Sequence, residues 1–136
     1  MSERLAQGDV VASGAYSVDR DRLVRYAGAS GDFNPIHYRD DAARSVGLPG
    51  VLAHGMLTMG LAVQPVVERF GAARVLDYQV RFTRPVPVPP EGAVELHVEA
   101  RVGRVDEEAG TARIDLTASV DGSTVLGKAQ AVVSLA

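Results

Sequence analysis

Residues 54–70 read His-Gly-Met-Leu-Thr-Met-Gly-Leu-Ala-Val-Gln-Pro-Val-Val-Glu-Arg-Phe, and this run limits the possible folds more than any other. Met56, Leu57, Met59, Leu61, Val63, Val66, Val67 and Phe70 fall nearly all round a helical wheel, so the helix needs cover on most sides. A membrane span takes about 20 predominantly apolar residues. This run is shorter and carries Thr58, Gln64, Pro65, Glu68 and Arg69. The expectation is therefore a core helix over 54–70, kinked near Pro65, where a backbone donor is missing. Gly55 and Gly60 leave room for a neighbour or a ligand to approach the backbone.

What covers such a helix is legible on either side of it. After Gly71 the period changes: 75–82 and 94–105 hold apolar residues in partial alternation, as strands do. Pro85, Pro87, Pro89 and Pro90 fill the link between them, which excludes a central strand there. A turn at 107–110, alternation over 112–120, the hairpin signal Asp121-Gly122 and a final run over 124–135 complete the set. Upstream, 8–17 carries Val10, Val11 and Tyr16 and reads as a first strand. Asp19 then caps a helix through about Ala29, with Leu23, Val24, Tyr26 and Ala27 as its apolar face. Arg22 stands where a capping box needs Glu or Gln. A short polar helix over 40–46 is stopped by Gly47 and Pro49. The fold class this implies is α+β, with a curved antiparallel sheet wrapped round the apolar helix.

Composition narrows the function. The chain has 136 residues, enough for one domain over 1–136. With 46% hydrophobic and 23% charged residues it reads as soluble and globular. There are 14 basic and 17 acidic residues and no basic run, which argues against nucleic acid as a partner. The absence of cysteine excludes disulfides, thiolate catalysis and cysteine zinc sites. No apolar segment follows Met1-Ser2-Glu3-Arg4, so a cytoplasmic protein without a membrane partner is expected.

Chemistry concentrates in Ser30-Gly-Asp-Phe-Asn-Pro-Ile-His37. Residues five apart in a continuous helix point in different directions. Pro35 disfavours a helical Asn34, and Asn-Pro opens turns. A bent segment therefore brings Asp32 and His37 towards one small volume, as a proton-transfer pair able to work near neutral pH. Read without that context, Asp32 is a turn cap and His37 an ordinary buried histidine.

Tyr26-Ala-Gly-Ala-Ser-Gly-Asp-Phe-Asn-Pro-Ile-His37 resembles the signature of the MaoC-like dehydratases, the (R)-specific enoyl-thioester hydratases. Gly50-Val-Leu-Ala-His-Gly-Met-Leu-Thr-Met-Gly60 resembles the family's second signature, and Gln79-Val-Arg-Phe-Thr-Arg-Pro-Val86 the strand that follows it. The Gly-Met-Leu-Thr-Met-Gly run is also similar to that of the B-type catalytic subunits of actinobacterial (3R)-hydroxyacyl-ACP dehydratases. The resemblance implies a hotdog fold, in which a curved antiparallel sheet wraps a central helix. It also implies a homodimer or a heterodimer with another hotdog subunit, whose sheets join along an edge.

The implied reaction is reversible hydration of trans-2-enoyl thioesters to (3R)-3-hydroxyacyl thioesters on ACP or CoA, in fatty-acid metabolism. It needs no cofactor. By that likeness His37 is the main acid/base and Asp32 its partner at the water or hydroxyl, with the division of protons between them left open. Gly55, at the free N–H end of the helix, is assigned the thioester oxygen through its backbone. Asn34, Met56 and Thr58 are expected to bind or orient substrate, with a local turn bond as the alternative role for Asn34. Met56, Met59 and Val63 suggest an acyl tunnel, and His54 is expected to be structural. Val63 stands where many family members carry a serine that supports the aspartate.

Arg81 and Arg84 read as solvated strand residues, with carrier phosphates as the functional alternative. Gly122-Ser-Thr-Val-Leu-Gly-Lys128 is not a phosphate loop, because Ala129 replaces the required Ser or Thr. No histidine pair has metal-ligand spacing, so no metal is expected. A hotdog thioesterase, and a subunit active only with a partner hotdog chain, are the competing readings.

Overall fold

Asp19 caps a helix as its position predicts: its Oδ1 accepts the Arg22 backbone N–H at 2.8 Å. In the computed structural model, which describes residues 4–136, this cap joins strand β1 (Val10–Asp19) to helix α1 (Arg20–Ser30). The helix ends on Gly31 at φ 76°, whose N–H bonds back to the Ala27 carbonyl at 2.9 Å. Leu23 and Ala27, one turn apart, are buried, whereas Val24 is 61% exposed, so the inward face is narrower than expected.

Helix α2 (Asp40–Ser45) and the paired helices α3 (Gly55–Ala62) and α4 (Gln64–Phe70) precede strands β2 (Val75–Phe82), β3 (Ala93–Asp106), β4 (Thr111–Val120), β5 (Ser123–Thr124) and β6 (Leu126–Ser134). The strands form one antiparallel sheet in the order β1-β3-β4-β6-β2, with β5 paired to β4. Asp121 and Gly122, both at positive φ, make the β4–β5 turn. This is the hotdog architecture, a sheet curved round a helix.

The central helix is interrupted near Pro65 as expected, but its cover is less complete than its apolar pattern implied. It is two helices broken at Val63, because Pro65 in the first turn of α4 has no N–H to continue the ladder. Nor is it buried all round: Thr58, Ala62, Pro65 and Val66 face the core, while Met56 is 59% exposed. Against those residues the sheet presents alternate inward side chains, among them Leu96, Val98, Ala100 and Val102 of β3 and Ala112, Ile114, Leu116 and Ala118 of β4. The alanines keep the sheet surface low enough for a helix to settle on it. On β6 the inward set changes parity between Leu126 and Ala129, at a bulge where Lys128 takes φ 43°.

The proline-rich link is not a loose loop. Val86 and Val88 are buried between its prolines, and 86–88 pairs with 51–53: Ala53 N–H bonds to the Val86 carbonyl and Val88 N–H to the Val51 carbonyl, both at 2.9 Å. This pins residues 51–53, which carry the chain into α3.

Candidate active site

The segment leaving α1 is folded by its own short side chains. Ser30 Oγ accepts the Asp32 N–H at 3.1 Å, Asp32 Oδ1 accepts the Asn34 N–H at 3.2 Å, and Asn34 Oδ1 accepts the Ile36 N–H at 3.2 Å. Each is the local two-residue bond that Ser, Asp and Asn make in turns. Pro35 then opens a single tight helical turn, Pro35–His37, which swings His37 inward to burial. Its Nδ1–H donates to the Leu52 carbonyl at 2.8 Å. That bond fixes the ring and leaves the Nε2 lone pair free.

Nε2 faces Asp32 Oδ2 at 3.8 Å, with the carboxylate half exposed. The separation is too long for a direct hydrogen bond and suits one mediated by water. The bent segment therefore does bring the two predicted groups together.

Gly55 is the first residue of α3, so its N–H belongs to the set that a helix leaves without an internal acceptor. A pocket of about 330 Å³ opens beside it, lined by His37, Gly55, Thr58, Phe82, Arg84 and Leu126 among others. The Phe82 ring rests against Gly55: a Cβ there would meet Phe82 Cε1 at 3.1 Å. Thr58 is buried and faces the same pocket.

Four residues expected to meet substrate do not line this pocket. Met56 points to solvent, Met59 and Val63 are half-buried with Val63 packed on the core, and none of the three is on the pocket wall. Asn34 is spent on its own turn. Arg84 lines the pocket and Arg81 does not.

Two features go beyond what the sequence analysis drew from these residues. Arg20 grips the Asp40 carboxylate through both terminal nitrogens, at 3.0 and 3.3 Å, and bonds the Val88 carbonyl through Nε at 2.8 Å. Asp40 Oδ1 also accepts the Val51 N–H at 3.0 Å. The Arg20 bond, followed by that from Val51, holds the Asp40 carboxyl below the usual carboxylate range. Helix α2 is thus tied to the strip that holds Leu52.

The second feature is His54, which is 1% exposed and stacks on His37 at 3.9 Å between ring centres and 21° between planes. Its Nε2–H donates to the Asp32 carbonyl at 3.1 Å, and Tyr26 meets it edge-on at 4.7 Å. Burial holds its imidazole below the ordinary histidine range, so it stays neutral.

Asp32, His37 and His54 bring ligand-type atoms within 4.8 Å of one another. Stacked rings send their in-plane lone pairs side by side, and His54 Nε2 is already committed to a carbonyl, so the set suits proton transfer better than a cation. The site therefore places a ring nitrogen and a backbone donor on the wall of one pocket, with the Asp32 carboxylate 3.8 Å from that nitrogen and off the pocket lining.

Residues 3–120 match the family described as MaoC like domain. The chain belongs to the MaoC-like family. Among relatives of this MaoC-like chain, 3-hydroxyacyl-thioester dehydratase X of Mycobacterium tuberculosis is 43% identical over 68 residues, which is 50% of this chain and 24% of that protein. The match thus spans about a quarter of that relative's length. A solved MaoC-like dehydratase superposes with a TM-score of 0.92 at 32% identity, covering 97% of this chain and 41% of the other. The unliganded R-hydratase PhaJ1 from Pseudomonas aeruginosa gives 0.80 at 26% identity, covering 95% and 81%. Among the described residues no helix is long and apolar enough to cross a membrane.

Proposed function

We propose that this MaoC-like chain, read as one domain over 1–136, adds water reversibly to trans-2-enoyl thioesters to give (3R)-3-hydroxyacyl thioesters. The observation that carries this reading is the 3.8 Å approach of Asp32 Oδ2 to His37 Nε2, with His37 and Gly55 both on the wall of one pocket. The dehydratase and hydratase names of its relatives support it.

In hydration a water held between Nε2 and the carboxylate bonds through its oxygen to the β-carbon and releases one proton to the pair. The double-bond electrons shift towards the thioester carbonyl, whose oxygen carries the charge beside the Gly55 N–H. The pair then returns a proton to the α-carbon, forming the C–H bond. Dehydration runs the same steps backwards, with the carbonyl charge lowering the cost of removing the α-proton. Thr58 faces the reacting atoms from within the pocket. The exposed Arg84 at its rim suits a phosphate of coenzyme A or of the acyl-carrier prosthetic group.

The reading includes a dimer. Strand β2 is a sheet edge whose register shifts between Val75 and Asp77, and beyond that shift its residues 78, 80 and 82 share the face that meets the core and the pocket. Tyr78 and Val80 pack on the core, but Leu76 and Phe82 are 59% and 55% exposed, and Phe82 rests against Gly55, the neighbour of the exposed Met56. An apolar, unpaired edge of this kind suits another hotdog chain, identical or different.

The test is to follow loss of the conjugated enoyl-thioester absorbance with purified protein, using CoA and acyl-carrier substrates, and to assign the product's configuration. A (3R)-hydroxyacyl product supports the reading. Release of free thiol with no hydroxyacyl product would replace it with a thioesterase.

A further inference from the structure

His54 sits where an apolar residue would pack more cheaply. Its ring is 1% exposed, and its Nδ1 is buried with no hydrogen-bond partner among the described residues. A buried acceptor without a donor is destabilising, whereas a leucine or phenylalanine would fill the same space without one. Only the opposite edge of the ring offsets that cost, through the bond from Nε2–H to the Asp32 carbonyl at 3.1 Å. The ring face is used as well, because it stacks on His37 at 3.9 Å. His54 also immediately precedes Gly55 and is the N-cap of α3.

We propose that His54 is a positioning residue: one imidazole holds the backbone of Asp32, the ring plane of His37 and the start of α3 in a fixed mutual arrangement. The two rings have complementary hydrogen placement. His37 donates from Nδ1 to Leu52 and keeps Nε2 bare, while His54 donates from Nε2. With its Nδ1 bond on one edge and His54 across its face, the His37 ring cannot turn Nε2 away from Asp32. The bond to the Asp32 carbonyl sets the other side of the 3.8 Å gap. His54 itself moves no proton in this scheme, being neutral and out of reach of the pocket wall.

This inference rests on the hydratase reading for its kinetic consequence, though not for its structural one. The test compares His54→Phe, which keeps a stacking ring and loses the donor, with His54→Gln, whose amide nitrogen lies the same number of bonds from the backbone as Nε2. His54→Phe is expected to lower kcat about 10- to 100-fold, the scale of a misplaced catalytic group, with KM changed less than about 3-fold. His54→Gln is expected to recover a large part of kcat.

The backbone amide of Phe33 shares its peptide group with the Asp32 carbonyl. Its nuclear resonance should therefore move in His54→Phe and lie nearer the wild-type position in His54→Gln. If His54→Phe does not fold, His54→Leu serves the same comparison. An apolar variant with wild-type kcat, or with an unmoved Phe33 amide, overturns the proposal. A wild-type protein inert towards enoyl thioesters removes the hydratase reading instead, and the Phe33 signal still decides whether His54 holds Asp32.

Discussion

Nε2 of His37 lies 3.8 Å from Oδ2 of Asp32, although the two residues are five apart and Pro35 interrupts the chain between them. The interruption is what brings them together. Asn34 bonds Ile36 across the proline, and the tight turn reverses the direction in which His37 points. A continuous α1 would have sent the two side chains apart.

If that gap holds the reacting water, Asp32→Asn and His37→Ala each lower hydratase kcat by about 10²- to 10⁴-fold. The double variant is expected to fall little below the worse single one, because the two act as a unit. Steady-state kinetics on folded, purified variants checks this, and a full rate in either single variant would sink the assignment.

Gly55 is expected to tolerate no side chain. In Gly55→Ala the new Cβ meets the Phe82 ring at 3.1 Å and crowds the approach to the N–H, so kcat should fall about 100-fold. Adding Phe82→Leu relieves the crowding and should restore the melting temperature without restoring the rate. Recovery of both would show that only packing was disturbed.

Stability should decline as pH falls below about 6.5, the ordinary histidine value. His54 is held neutral by burial below its ordinary value of 6.5, so the unfolded chain binds more protons across this window and stability is lost as pH falls. Asp32, His37 and Tyr26 are the titratable groups facing it. Thermal melts in His54→Phe should show a smaller decline than wild type over the same window, and identical slopes would contradict the assignment.

Neighbouring positions in α1 should behave oppositely. Leu23 is fully buried, and Leu23→Ala should cost about 2–5 kcal/mol. Val24→Ala, on the exposed side, should stay within about 0.5 kcal/mol. Denaturant unfolding at constant slope separates the two.

The open edge of β2 predicts association. If that edge is an interface, wild type sediments as a dimer, and Leu76→Asp and Met56→Asp each shift it towards monomer in sedimentation velocity. An unchanged profile in both would place any interface elsewhere.

The sequence by itself determined the order of helices and strands, the cap at Asp19, the Asp121-Gly122 turn and the local fold of 30–37. All of these are set by residues within a few positions of one another. Tertiary structure alone decided which side of an apolar helix is covered. Met56 and Thr58 look equally suited to a pocket, yet one faces solvent and the other His37, because rotation of α3 is fixed by its packing on the sheet. The same holds for the links from His37 to Leu52, His54 to Asp32 and Arg20 to Asp40, which are 15, 22 and 20 residues apart. No short-range pattern encodes such pairings; they arise when strip 51–53 is pinned to 86–88 and the buried donors there take the acceptors the fold brings to them.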